Sequence, residues 1–392
     1  MPSRSPARRR AFWSLLLAWD AACLALAAVT VQELAARREA ADDMEPARPG
    51  AGSEAATAEI PWPHDSQYVQ DPIVGHRPRA GVERKFRMGP FGGERERRLR
   101  RHGVHGVITT DVTAAAADLD DLFAMGPPNV LLLGDSHLMG VVTNAENAAQ
   151  RLEDGLRDEP GLLGATVING AAGYYSLWQL VLRARTLAAP TGAAAIVPVV
   201  FLGNDFLELE DVGRPHLDDA TAERPARSDP PAETTSARRR WLGRPDDDLL
   251  FWQGLNQAAY FHQQPDRIAA VLAKAARCLD AALELARAQQ AELQVALLPS
   301  YDLAFPERAA ALGPRVAEAL ASSANLRLRD GLRTQLAERG IATIDLLDAF
   351  RADGRDELYA LDGHLFVAGH RCLADALARS LAPVLTTRAA RR

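Results

Sequence analysis

Lysine, cysteine and clustered metal ligands are all scarce in this chain of 392 residues. Lysine occurs only at Lys85 and Lys274, which we interpret as a compositional bias without functional meaning. No Cys and His residues have the spacing of zinc ligands, so we expect neither a metal site nor a cofactor. With a net charge of -6 at pH 7, the chain also lacks the basic excess of a general nucleic-acid binder.

The three cysteines are Cys23, Cys278 and Cys372. Cys278 and Cys372 can form a disulfide only if the fold brings them together, which the sequence does not decide. Two buried free thiols in helices are the more common arrangement.

A long apolar run occupies residues 11–32, with Asp20 as its single charge. About twenty apolar residues cross a bilayer as a helix, and the basic residues at 8–10 favour a cytoplasmic N-terminus. We therefore predict a cytoplasmic basic tail at 1–10 and a transmembrane signal anchor at 11–32. A signal peptide cleaved near Ala25-Leu26-Ala27 is the alternative. Either arrangement places the rest of the chain in the periplasm or outside the cell.

Three further segments are distinguished by composition. Residues 33–60 have few large apolar side chains and are predicted to form a linker. In residues 61–128, Pro and Gly interrupt short apolar segments, a pattern that predicts a small N-terminal module of irregular or β structure. Within this module the stretch 84–101 is strongly basic, and we expect a solvated basic face. Residues 212–240 are rich in Pro, Arg, Asp, Ser and Thr, which is typical of a surface insertion.

Short apolar runs alternate with longer helical patterns from residue 129 onward. The apolar runs are nearly continuous, as in strands that are buried on both faces of a parallel sheet. The alternation predicts an α/β domain over residues 129–385, with three α/β/α layers and a central parallel sheet. The predicted strands are 130–133, 165–168, 195–202, 293–298 and 341–344, and the predicted helices are 144–157, 177–187, 266–290, 314–339 and 368–381.

Two motifs follow the first two predicted strands. Gly134-Asp135-Ser136 ends the first strand, which leaves the Ser136 hydroxyl at the carboxyl edge of the sheet, where ligands bind. Gly170 follows the second strand, and a glycine there lets the backbone approach a ligand and point an N–H into a site. Each motif alone also fits an ordinary helix cap or turn.

Two more motifs follow later in the chain. Asn204 comes directly after the third strand, and its side-chain amide can donate to a developing oxyanion, although an Asx turn is the alternative. His364 precedes the last predicted helix and is the usual type of general base near neutral pH. Asp362 lies two positions earlier, on the same side of an extended segment, where it can orient the imidazole.

Taken in order, these four motifs resemble the four signature blocks of the SGNH/GDSL hydrolase superfamily. The Ser, Gly, Asn and His that name the family correspond to Ser136, Gly170, Asn204 and His364. The resemblance covers about residues 129–385 and implies a flavodoxin-like fold with ester cleavage or acyl transfer.

The same resemblance implies the roles of the site residues. Ser136, His364 and Asp362 are the expected catalytic triad, and the oxyanion hole combines the Ser136 N–H, the Gly170 N–H and the Asn204 amide. Many members have Asp three residues before the His, where this chain has Leu361. A spacing of two also occurs in relatives resembling the alginate acetyltransferases, and Asp362 has that spacing.

We therefore expect a serine esterase that hydrolyses an acyl or acetyl ester outside the cytoplasm. The alternative is an O-acetyltransferase or deacetylase that acts on a surface polysaccharide or cell-wall glycan. A second alternative is a non-catalytic binding module of the same fold. The expected partners are the ester substrate, with a glycan as one candidate, and the membrane through the N-terminal helix, whereas nucleic acid and an obligate protein partner are not expected.

Overall fold

The computed structural model describes most of the chain from Tyr68 onward. The predicted tail, anchor and linker at 1–60, the predicted insertion at 212–240, and Asp362 all lie outside the described residues. Within the described part, no helix is both long enough and apolar enough to cross a bilayer. The described residues are 68–71, 73–89, 96–118, 121, 128–211, 253–311, 314–360 and 363–390.

Two antiparallel hairpins precede the main sheet. The first pairs β1 (Tyr68–Asp71) with β2 (Gly75–Pro78), and the second pairs β3 (Glu83–Met88) with β4 (Glu96–Arg101). Beyond them, the Ile108 N–H donates to the Asn169 carbonyl at 2.9 Å, an antiparallel bridge to the main sheet. The N-terminal region is thereby hydrogen-bonded to the backbone of the α/β fold.

Five parallel strands form the central sheet, in the order β6-β5-β7-β8-β9 from edge to edge. Counted from the first of them, this is the 2-1-3-4-5 order of flavodoxin-like sheets, in which ligands bind where the chain reverses direction across the sheet. That point lies at the carboxyl ends of the first and third strands. The strands are β5 (Asn129–Leu133), β6 (Thr166–Asn169), β7 (Ala193–Phe201), β8 (Glu292–Leu298) and β9 (Ala342–Asp345).

Helices cover both faces of the sheet. Most of them are formed by amphipathic or apolar segments, and these helices connect one parallel strand to the next. The helices are α1 (Ser136–Met139), α2 (Ala148–Arg157), α3 (Leu177–Leu187), α4 (Asp205–Asp211), α5 (Gln253–Gln263), α6 (Arg267–Ala288), α7 (Tyr301–Ala304), α8 (Pro306–Ala310), α9 (Pro314–Ala321), α10 (Ala324–Glu338), α11 (Leu347–Asp353) and α12 (Val367–Ala389).

Alternate side chains of β5 enter two separate hydrophobic cores. Leu131 and Leu133 pack with helices α3, α6 and α10 on one face of the sheet. Val130 and Leu132 pack with α2 and α12 on the other face. Because all these side chains are buried, each contributes on the order of 2 kcal/mol to folding. The result is the predicted three-layer arrangement with a central parallel sheet.

The structure also refines the predicted elements. The helix predicted over 314–339 is divided into α9 and α10, since Ser323 adopts φ 51°, outside the helical range. Cys278 and Cys372 are both free thiols. In the stretch predicted to be a solvated basic face, Arg98 and Arg100 are instead buried, because the two alternating sides of β4 face in opposite directions.

Candidate active site

Ser136 is the first residue of α1, directly after the strand β5. Between strand and helix the chain turns so tightly that a Cβ on Gly134 would lie 2.6 Å from the Leu138 Cβ. The position therefore requires glycine. Ser136 is half-buried in a turn whose neighbours are fully buried, so its hydroxyl is the part of this motif open to a substrate.

Asp135 is the N-cap of α1. Its carboxylate accepts a hydrogen bond from the His137 N–H at 2.8 Å and so satisfies a donor that the helix leaves unpaired. The residue is 1% exposed. Burial raises the pKa of Asp135 to about 7, against the opposing effects of the His137 N–H and of the nearby His364 ring.

His364 is presented by a tight turn before α12. The Ala360 N–H donates to the His364 carbonyl at 2.8 Å, and the turn passes through Gly363, whose φ of 82° favours glycine. Leu365 then forms a bridge with Tyr359, which fixes both ends of the turn. Asp362 lies outside the described residues, so its predicted role stays a prediction.

The His364 ring lies beside His137, the residue that follows Ser136. Its centroid is 4.7 Å from that of His137, and it interacts electrostatically with Asp135. His137 itself is fully buried and stacks on Phe201, with centroids 3.4 Å apart. Phe201 ends β7, so the stack joins the loops after β5, β7 and the His364 turn. The fold thus brings His364 to the Ser136 segment across more than two hundred residues of sequence.

Asn204 lies at the carboxyl end of β7, 8% exposed, immediately before α4. Its side-chain amide donates to the Glu208 carboxyl at 2.6 Å, one helical turn further on. The amide nitrogen carries two hydrogens. Because the hydrogen bond to Glu208 holds one of them, it also sets the direction of the other. The bond to Glu208 orients the Asn204 amide, and its predicted role as an oxyanion donor stays a prediction.

Three carboxyl groups are shielded from water around this edge. Asp205 accepts from the Phe201 N–H at 2.8 Å, and Glu208 is half-buried as a residue, although its carboxyl oxygen Oε2 is shielded from solvent. Burial raises the pKa of both well above the usual range, and repulsion from Asp135 adds to the effect. Neutral carboxyl groups are thereby favoured in the folded protein.

We predict that stability falls as pH rises because of this cluster. A group whose pKa is higher in the folded state stabilises the fold fully below its unfolded pKa and loses that contribution through its folded pKa. For Asp135 the folded pKa is about 7, and for Asp205 and Glu208 it is well above the usual range. The contribution of this cluster to Tm should therefore be larger near about pH 5 than near about pH 8.

The matched variant for that prediction is Glu208→Gln, a neutral side chain of the same shape. It should reduce the loss of Tm between the two pH values, measured as the difference from wild type. That difference removes the opposite contributions of His102 and His370, because burial lowers the pKa of each to about 3 and their contribution to stability therefore grows as pH rises through 6.5. An identical slope in the variant and the wild type would contradict the prediction.

The structure corrects the glycine that was assigned to the oxyanion hole. The Gly170 N–H donates to the Leu132 carbonyl at 2.9 Å, and a Cβ on Gly170 would point toward Leu187. This N–H is part of the sheet and does not face Ser136. Gly173, three residues later, is the glycine beside the nucleophile, because a Cβ on it would lie 3.7 Å from the Ser136 Cβ.

Two residues that were not singled out in the sequence hold the end of the nucleophile helix. Asn147 donates to the carbonyls of Leu138 and Met139, at 3.1 and 3.0 Å, and accepts from the Asn169 side chain. The buried Arg100 donates to the Gly140 carbonyl, and burial lowers its pKa to about 9. Asn147 fits a helix-cap pattern before α2, whereas Arg100 has no local signal because its partner is forty residues away.

Comparison with solved structures finds hydrolases. The chain is similar to an acetylxylan esterase from Geobacillus stearothermophilus, with 14% identity over 64% of this chain and 93% of the other, TM-score 0.38. It is also similar to a psychrotrophic esterase from Pseudoalteromonas sp., with 12% identity over 66% and 99%, TM-score 0.36. A third is a putative lipolytic protein of the G-D-S-L family from Desulfitobacterium hafniense, with 13% identity over 64% and 99%, TM-score 0.33. No family model and no curated protein matches the sequence.

The residues that the structure describes contain no group of three or more His, Cys, Asp or Glu side chains that could hold a metal ion. The nearest approach to a cluster is the set of carboxyl groups of Asp135, Asp205 and Glu208. In each of these three carboxyl groups, one oxygen has no hydrogen-bond partner among the described residues. Their raised pKa values fit protonated carboxyl groups, which are poor ligands for cations.

Proposed function

We propose that this chain is a serine hydrolase that cleaves carboxylic esters, with Ser136 as nucleophile and His364 as general base. The observation that carries the proposal is the contact of the His364 ring with His137, the residue that follows a half-buried serine. The electrostatic interaction of His364 with Asp135, the residue before that serine, agrees with it. This serine sits where β5 ends, at the reversal point of a flavodoxin-like sheet. Nucleophilic catalysis requires an accessible hydroxyl within reach of an imidazole, and in this proposal the Ser136 hydroxyl and His364 meet at this edge of the sheet.

In this proposal the reaction proceeds through an acyl-enzyme. The Ser136 oxygen attacks the ester carbonyl while His364 accepts its proton, and the Asn204 amide donates to the oxyanion that forms. Collapse of the tetrahedral intermediate breaks the ester bond, and His364 returns the proton to the leaving alcohol. Water then attacks the acyl group by the same route and restores Ser136. Asp362 would orient His364 and stabilise its protonated form.

An acetyl ester on a glycan is the substrate class that we favour. Tyr174 follows Gly173 with φ 66°, an unusual backbone conformation, and its ring is 58% exposed next to the rings of Tyr68 and His76. Such a ring suits a flat sugar better than a narrow acyl chain. A location outside the cytoplasm is part of the proposal, and it depends on the predicted anchor at 11–32.

The proposal is tested with a fluorophosphonate probe on the full chain. The probe should label Ser136 covalently, as shown by peptide mass spectrometry, and the protein should hydrolyse p-nitrophenyl acetate and an acetylated cello-oligosaccharide. Ser136→Ala should abolish labelling and lower kcat by about 10⁶-fold, because removing the nucleophile leaves only binding and oxyanion stabilisation.

The control for this experiment is Ser300→Ala, a serine that is also buried at a strand end but follows β8. It should retain labelling of Ser136. Hydrolysis that persists in Ser136→Ala, or a label on another residue, would show that the nucleophile is misassigned. Absence of both labelling and hydrolysis in the wild type would leave the fold without the proposed activity.

A further inference from the structure

The hydroxyl of Tyr68 joins two loops that flank the nucleophile. Tyr68 belongs to β1 and is 3% exposed. Its Oη accepts a hydrogen bond from the Gly173 N–H at 3.1 Å and donates to the Met139 sulfur at 3.6 Å. Gly173 lies in the loop after β6, and Met139 ends the helix that begins with Ser136. The N-terminal hairpin therefore reaches the centre of the site.

The Tyr68 oxygen and Ser136 lie on the same side of Gly173. A Cβ on Gly173 would be 2.6 Å from the Tyr68 Oη and 3.7 Å from the Ser136 Cβ. Both atoms are thus close to one point in the space between the glycine loop and the nucleophile. An ester carbonyl attacked by Ser136 must enter this space, within hydrogen-bond reach of its surroundings.

The Tyr68 ring is held in place from several directions. It packs edge-on against His76, with centroids 5.2 Å apart and planes at 86°. The His76 Nε2 is 2.9 Å from the Gly173 carbonyl, and the Tyr175 hydroxyl donates to the His76 carbonyl at 2.6 Å. Because the ring is buried and packed, the hydroxyl oxygen keeps its position during a reaction and only the O–H hydrogen turns, which favours oxyanion stabilisation.

We propose that the Tyr68 hydroxyl is an oxyanion donor of this site, an inference that rests on the proposed esterase function. The Gly173 N–H donates to the phenol oxygen and so polarises its O–H for donation to the oxyanion. The acceptor that the O–H contacts here is a thioether, which is a weak acceptor, so the oxyanion competes with it readily. The Gly173 N–H thus acts through Tyr68, and the N-terminal hairpin supplies a catalytic residue.

Tyr68→Phe tests this role, because it removes the hydroxyl and keeps the packed ring. With p-nitrophenyl acetate and the full chain, kcat should fall by about 10²-fold, as for other single oxyanion donors, while KM stays within about threefold. Affinity for phenylboronic acid, which forms a tetrahedral adduct on the nucleophile, should fall with kcat. Circular dichroism and Tm establish that the variant is folded.

Tyr175→Phe is the matched control. It removes a buried hydroxyl from the same group of rings, one that supports His76 and not the space beside Ser136. An equal loss in Tyr175→Phe would show that Tyr68 acts by holding the loop, which overturns the proposed donation. Unchanged or increased kcat in Tyr68→Phe would overturn it as well.

Gly173→Ala provides a second variant that keeps Tyr68. Its Cβ displaces the Tyr68 hydroxyl, so kcat should fall. A Cβ on Gly173 also lies 3.7 Å from the Ser136 Cβ. A loss of kcat in Gly173→Ala with an unchanged kcat in Tyr68→Phe would therefore assign the effect to blocked substrate entry and overturn the role of the hydroxyl. If the wild type neither hydrolyses the ester nor reacts with a fluorophosphonate, both the esterase function and this role of Tyr68 are refuted. If the wild type is active, the variants test the role of Tyr68 alone.

Discussion

Replacing His364 by Ala lowers kcat for p-nitrophenyl acetate by about 10⁴-fold or more, the loss expected when a serine nucleophile loses its base. The imidazole is the proton acceptor in the first step and the proton donor to the leaving alcohol, so both steps fail together. His364 is 8% exposed and lies beside the Ser136 segment, which fits this role. The rate is measured at saturating ester and at two or more pH values.

His137 is the control, because its ring is only 4.7 Å from that of His364. It is fully buried and stacks on Phe201, so we expect it to support the site by packing. His137→Asn should therefore change kcat by less than about tenfold, with part of the effect arising from lower stability. A loss in His137→Asn as large as in His364→Ala, with a retained Tm, would make His137 the base.

Replacing Asn204 by Ala lowers kcat by about 10²-fold to 10³-fold and changes KM little, since the amide contacts the oxyanion only as charge develops. Its other hydrogen is held by Glu208, which directs the amide before substrate binds. Steady-state rates with the acetyl ester, together with binding of phenylboronic acid, separate ground-state from transition-state effects.

Asn204→Asp sharpens this test, because the side chain keeps its shape and loses the donor. A carboxylate beside an oxyanion is repulsive, so this variant should be at least as slow as Asn204→Ala. Retention of more than about a tenth of the wild-type kcat by both variants would remove Asn204 from the oxyanion hole.

The sheet was predictable from the sequence because β5, β6, β7 and β8 are short, mainly apolar runs that are buried on both faces, whereas the edge strand β9 buries only Ile344. Each of the five predicted strands overlaps an observed one, and Ser136, Asn204 and His364 fall where the pattern placed them, at strand ends or before the last helix. The boundary at Ser323 was not predictable, since no Gly or Pro marks the residue with left-handed φ.

The assignment of the oxyanion-hole glycine shows what the order of motifs in the sequence does not determine. Gly170 and Gly173 both follow a strand, and only the hydrogen bond from the Gly170 N–H to Leu132 shows that the first belongs to the sheet. The position of Tyr68 in the site could not be predicted from the sequence, for a different reason. Its partner Gly173 is 105 residues away, and contacts at that separation have no local periodicity to reveal them.

The bridge between Ile108 and Asn169 bears on where this protein can be shortened. A version that begins at Asn129 would keep every strand of the parallel sheet, yet it would expose the Asn169 carbonyl at the sheet edge and lose the guanidinium that contacts Gly140. By sequence pattern alone, residue 129 is a natural starting point for recombinant work. By its hydrogen bonds, the smallest unit that preserves the surroundings of Ser136 begins at or before Tyr68.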